Sequence, residues 1–160
     1  MPSDLSPSSD SAYRPLHCVA VLEVTAYWEG GYRVRVPLRG FEIVSDEPAE
    51  YGGTNTGPMP TELFLSSLAV CFTMAVHHTF RKRNVQLPDL AVHVSAEYEG
   101  TRFRKIHVTV DSSHPRDEMR SLLPRAIGYC YVSNTLASYC DIEYSVADVP
   151  ATGQPQPPPS

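Results

Sequence analysis

The chain has 160 residues, enough for one domain with a substantial core. Eighteen acidic against 13 basic residues leave a formal net charge of −5, which argues against nucleic-acid binding, since that needs a basic face. Four cysteines, at positions 18, 71, 130 and 140, form neither a Cys-x-x-Cys pair nor the dense framework of a secreted disulfide scaffold. A reducing, cytoplasmic setting is therefore expected.

Residues 1–16 are rich in Ser, Pro and Asp, show no basic-then-apolar signal pattern, and read as a disordered leader. The folded domain is expected over 17–149, followed by a Pro-rich tail, 150–160, that can join neither sheet nor helix. The domain opens with strands. Cys18 to Trp28 is β-branched and apolar, Glu29-Gly30-Gly31 is a turn, and Tyr32 to Leu38 returns as a hairpin partner. Arg39-Gly40 gives a second tight connection, and Phe41 to Ser45 a third strand. A long loop follows, DEPAEYGGTNTGPMP. Loops of this length in compact domains are usually functional, but no Gly-Lys-Ser/Thr follows its glycines, so it is not a phosphate loop.

The next stretch organises the chain. Leu63 to Phe80 is 18 residues without a formal charge, apolar on nearly every side. Pro58 and Pro60 suit only a helix start, Thr61 can cap, Glu62 complements the positive end of the dipole, and Arg81, Lys82 and Arg83 the negative end. A helix apolar all round must be buried all round. The run is at the lower edge of a membrane-spanning length, but its six polar side chains and short flanking loops weigh against a bilayer, so the cover is protein. One chain offers too few strands to cover every side, and an obligate homodimer is expected.

Past the helix, Leu90 to Tyr98 alternates, with Val92, Val94, Ala96 and Tyr98 facing one way, and Phe103 to Asp111 repeats the pattern through Ile106, Val108 and Val110. A second helix opens at Ser113 and Pro115, with Met119, Leu122, Leu123, Ala126 and Ile127 on its apolar face and Pro124 expected to kink or restart it. A turn over Val132 to Ala137 and a last strand, Tyr139 to Val146, complete the domain. The class is α+β: antiparallel sheets wrapped around a central buried helix.

Chemistry concentrates in two thiols. Cys71 lies in the middle of the apolar helix, where a cysteine is most often a small hydrophobe, and burial alone makes it inert. A reactive Cys71 needs a cation or hydrogen-bond donors beside it. Cys130 falls in GYCYVSNTL, where a helix stop should bring it near a surface or interface. Presented by two packed helices, the pair suits redox work, one thiolate attacking and the other resolving. Cys18 and Cys140 read as packing residues on the first and last strands. His77 and His78 are adjacent and point about 100° apart, so they cannot share a metal. Neither metal nor cofactor is expected. His78 shares the face of Cys71 and reads as a core histidine. Trp28, Tyr32, Tyr51 and Phe64 are either core aromatics or the lining of an apolar substrate mouth.

DEPAEYGGTNTGPMPTELFLSSLAVCFTMAV, followed about sixty residues later by AIGYCYVSNTL, resembles the OsmC/Ohr family, the osmotically inducible and organic hydroperoxide resistance proteins. The resemblance extends to WEGGYRVRV and the closing strand. It implies an intertwined α+β homodimer and, in the peroxidase branch, reduction of organic hydroperoxides at the expense of an external dithiol. The resemblance gives Cys71 the peroxidatic role, Cys130 the resolving role, and Glu62 the place nearest the branch's acid. That branch carries its acid directly after the helix-opening proline, where this chain has Thr61. The osmotically inducible type has a loop arginine where this chain has Tyr51. Nine residues put Glu62 on the opposite face of the helix from Cys71 and ~13 Å along the axis. Glu62 therefore serves either a partner's thiol or the helix dipole. Arg33, Arg35 and Arg39 are the candidate cations. The departures leave a second reading open, a non-catalytic relative that binds a small apolar ligand at a dimer interface.

Overall fold

A computed structural model describes residues 21–138 and 140–146. The expected leader 1–16, Cys18 and the tail 150–160 lie outside the described residues. The elements are β1 (Tyr27–Gly30), β2 (Arg33–Leu38), β3 (Phe41–Ser45), a 3₁₀ turn (Ala49–Tyr51), α1 (Pro60–Arg81), β4 (Ala91–Glu99), β5 (Arg102–Asp111), α2 (Arg116–Tyr129) and α3 (Tyr131–Ala137).

The first three strands form an antiparallel meander in the order β1-β2-β3. Its turns need left-handed backbone, supplied by Gly30 and Gly31 (φ 116° and 54°) and then by Arg39 and Gly40 (49° and 88°). β4 and β5 form a separate two-stranded antiparallel sheet. In it Val92 pairs with Val110, Val94 with Val108 and Ala96 with Ile106, which sets one apolar face toward α1. A bulge between Glu97 and Tyr98 breaks the alternation, so Tyr98, expected inward, is exposed.

α1 begins with Pro60 in its first turn, and the backbone N–H of Met59 is capped by Glu62 Oε2 at 2.9 Å, not by Thr61. It ends where Asn84 turns left-handed (φ 56°) and the Val85 N–H returns to the Phe80 carbonyl at 3.1 Å. Leu68, Phe72, Ala75, Val76 and Phe80 of α1 form the core with Met119, Leu122 and Ala126 of α2 and with Cys130. β4 packs alongside α1, and α3 touches both helices.

Within one chain α1 is covered on one side, as expected, since Val70 and Met74 are 54% and 66% exposed on the other. Other expectations are corrected. No residue of β1, β2 or β3 belongs to the core cluster, so the sheet expected to wrap the helix does not do so within one chain. Val132–Ala137 lies in a helix rather than a turn, and α2 runs through Pro124 as one element. Residues 140–146, expected as a last strand, and 21–26, expected as the start of the first, are in no strand; no described strand lies beside them to satisfy their backbone. Ile142, Tyr144 and Val146 are exposed accordingly.

Phe80, 1% exposed, is the largest fully buried side chain among the described residues. Phe80→Ala should lower stability by about 3–5 kcal/mol in urea unfolding, because the surrounding helices cannot close the cavity. An unchanged midpoint would mean that the core lies elsewhere.

Candidate active site

Cys71 sits half-buried on α1, one turn after Leu68 and one before Ala75, on the side that meets α3. Cys130 closes α2 and opens α3 in extended backbone (φ −87°, ψ 104°). It is fully buried within one chain, so of the surface or interface expected from the helix stop the surface is excluded. Its sulfur caps α3 by accepting the Ser133 N–H at 3.4 Å, while the Asn134 side chain returns to the Gly128 carbonyl at 3.2 Å. This corner brings the two thiols close enough to influence each other's charge and sets the Val132 and Tyr131 amides near Cys71. No disulfide joins them.

Two influences oppose each other at Cys71. Burial pushes its pKa up, and the Cys130 thiol beside it adds to that, while the amides of Val132 and Tyr131 pull it down by donating to a thiolate. Burial prevails within one chain, and the thiol lies above its ordinary value.

Glu62 is not brought to the thiols, since its carboxylate caps the start of α1. The candidate cations are engaged elsewhere. Arg33 bonds Glu29 at 3.0 Å and the Thr56 hydroxyl at 2.6 Å. Arg35 bonds Glu29 at 2.9 Å and stacks over Tyr27. Arg39 lies exposed at the β2–β3 turn. Cys140 is exposed rather than packed.

A cavity of about 430 Å³, touched by neither thiol, opens between Leu68 of α1, the Phe103–Ile106 stretch and Val108 of β5, with Arg104 and Lys105 among its lining, and Ser133 and Leu136 of α3. Phe64 stacks on Phe103 at 5.8 Å and Tyr98 meets the same ring at a tilt at 4.8 Å, extending the apolar wall. Of the four aromatics named from sequence, only Phe64 reaches this wall. Trp28 donates its indole N–H to the Gly31 carbonyl on the first sheet, and Tyr32 and Tyr51 are exposed. His78 packs edge-on to Tyr129 at 4.9 Å. Among the described residues no group of His, Cys, Asp or Glu is arranged to hold a metal.

Sequence reasoning missed Asp46, which organises the loop before α1. Its side chain, 1% exposed, accepts five hydrogen bonds, from the amides of Glu47, Thr54 and Thr56 and the hydroxyls of Thr54 and Thr56. The threonine hydroxyls and these amides hold its carboxyl well below the usual range. Gly53 and Gly57 make the loop tight enough: a Cβ there would stand 1.9 Å from the Glu47 carbonyl and 2.3 Å from that of Val44. The signal in sequence was an acid with Thr-x-Thr eight residues on, an Asx-type pattern.

The chain matches the OsmC-like protein family over residues 53–145 and belongs to it. Solved structures agree in fold. An OsmC-like protein from Mycoplasma pneumoniae superposes with a TM-score of 0.64 at 18% identity, covering 75% of this chain and 89% of that one. An organic hydroperoxide resistance protein of Bacillus subtilis gives 0.53 at 25% identity, covering 73% and 90%. One from Legionella pneumophila gives 0.55 at 22%, covering 73% and 90%. Comparison with curated protein sequences finds no match. The architecture is thus the mixed α+β, antiparallel-sheet fold of the OsmC/Ohr proteins. α1, although long and apolar enough to cross a membrane, is the core helix of that fold.

Because folding lowers the Asp46 pKa, its stabilisation is complete above the unfolded value of about 3.9 and is lost as pH falls toward the folded one. Asp46→Asn should lower the urea midpoint at pH 7 and flatten its decline between pH 5 and 3. A variant with the parental pH profile would rule out this role.

Proposed function

We propose that this protein is a thiol-dependent peroxidase that reduces organic hydroperoxides in oxidative stress defence. The observation that carries the reading is the juxtaposition of Cys71 and Cys130 where α1 meets the corner between α2 and α3. The names of the relatives that share the fold, organic hydroperoxide resistance proteins, point the same way.

The Cys71 thiolate attacks the outer oxygen of R–O–OH, breaking the O–O bond. The alkoxide leaves, takes a proton and departs as alcohol, and Cys71 is left as a sulfenic acid. The Cys130 sulfur then displaces hydroxide from Cys71, which leaves as water with the Cys130 proton, forming a disulfide. An external dithiol reduces that disulfide by two exchange steps and is itself oxidised. The cavity favours an alkyl chain over hydrogen peroxide. No metal or cofactor takes part, and neither nucleic acid nor membrane is a partner.

The working form is an obligate homodimer in the cytoplasm. A second copy covers Val70 and Met74 of α1 and gives the first sheet, which adds nothing to the core of its own chain, a surface to pack on. It also supplies what Cys71 lacks within one chain, a cation to offset burial, with Arg33, Arg35 and Arg39 as the candidates and Glu62 as the acid that can orient it. The raised pKa of Cys71 favours one alternative, a non-catalytic relative that binds an apolar ligand.

The thiols decide. One equivalent of cumene hydroperoxide should join Cys71 to Cys130 and leave Cys18 and Cys140 reduced, as read by peptide mapping. Cys130→Ser should accumulate the sulfenic acid, and Cys71→Ser should end fast peroxide consumption. Resistance of Cys71 to oxidation would leave the binding relative. Sedimentation at low micromolar concentration should give a dimer that Met74→Lys dissociates or prevents from folding. A stable wild-type monomer would overturn the dimer.

A further inference from the structure

One face of α1 carries more than the attacking thiol. Seven residues after Cys71, two helical turns on and above it, stands His78, and four residues after His78 stands Lys82 at the helix end. Both meet the ring of Tyr129, His78 edge-on at 4.9 Å and Lys82 with its Nζ 5.5 Å from the ring centre. Tyr129 is the last residue of α2 and the one before Cys130. The residue before it, Gly128, has no side chain with which to pin the corner. Burial and the nearby Lys82, Arg81 and His77 lower the pKa of His78, so its ring is neutral at pH 7 and the cation at this contact is Lys82.

We propose that Tyr129 is the positioning residue for the resolving thiol: clasped by His78 and Lys82, its ring fixes the corner between α2 and α3 so that Cys130 stays over Cys71. The proposal rests on the Cys71/Cys130 reading above. The physical reason is that a disulfide tolerates little error, with Cα atoms within about 6 Å and a restricted dihedral. A corner free to swing would seldom present the Cys130 sulfur to a sulfenic acid on Cys71. The same helix face would thus hold the nucleophile and the anchor of its partner, keeping their separation independent of how α2 moves further away.

Two readouts test this on the full chain. After one equivalent of cumene hydroperoxide, with dimedone as the trap, Tyr129→Ala should still form the Cys71 sulfenic acid. It should convert that acid to the Cys71–Cys130 disulfide about tenfold more slowly, the scale of one lost aromatic and cation–π contact. Tyr129→Phe, which keeps the ring, should restore the second step. Equilibration in reduced and oxidised dithiothreitol, which needs no peroxide, should show the disulfide of Tyr129→Ala to be about tenfold easier to reduce, a rise of about 30 mV for two electrons. If Tyr129→Ala does not fold, the double variant His78→Ala, Lys82→Met carries both measurements with the same expectations. Wild-type condensation and potential in the alanine variant, or in the double variant in its place, would overturn the proposal. A wild-type protein inert to peroxide, with the potential still shifted in the variants, would sink the peroxidase reading and leave the positioning role standing.

Discussion

The packing of α1 against α2 and the β4–β5 sheet places both candidate thiols. Leu68, Phe72, Val76 and Phe80 interlock there with Met119 and Leu122. Burying side chains of this size contributes about 1.5–3 kcal/mol each, against about 0–1 for surface ion pairs such as Arg33 with Glu29. Core packing therefore outweighs the charge network many times over. Because the contact occupies one side of α1, it fixes which residues meet α3 and which are left uncovered. Cys71 lies toward α3, and Val70, its neighbour in sequence, is exposed.

The chemical setting of the thiols is a balance. Reactivity requires a thiolate, and low dielectric opposes charge. Two backbone amides at the start of α3 partly answer that opposition without introducing a charge that would itself need burial. Cys130, fully buried, gains an acceptor role on the Ser133 amide that also shapes the corner. The same few atoms thus serve the local structure and the chemistry.

Periodicity revealed the elements that bury a regular face. β3 and the two strands after α1 are where alternation placed them, and the proline-marked start of α1 is where its sequence put it. What periodicity could not reveal depended on partners elsewhere. Residues 21–26 and 140–146 have apolar content suited to strands, but a strand needs a neighbour, and none is described beside them. The 360° apolar surface of α1 said that it must be covered without saying by which chain. Cys130 read as near a surface or interface because the helix stops there, whereas the chain turns straight into α3 and keeps the sulfur away from the surface. Glu62 was open between two roles, and within one chain it caps the Met59 amide.

The Asp46 knot has a consequence for whatever docks on the loop before α1. All five donors come from within ten residues of the carboxylate, so the knot needs almost nothing distant to form. A surface loop of this length ordinarily loses many conformations when something presses on it, and that loss is subtracted from affinity. Here the loss is already met during folding. The segment therefore presents Tyr51 and its neighbours in one arrangement rather than many.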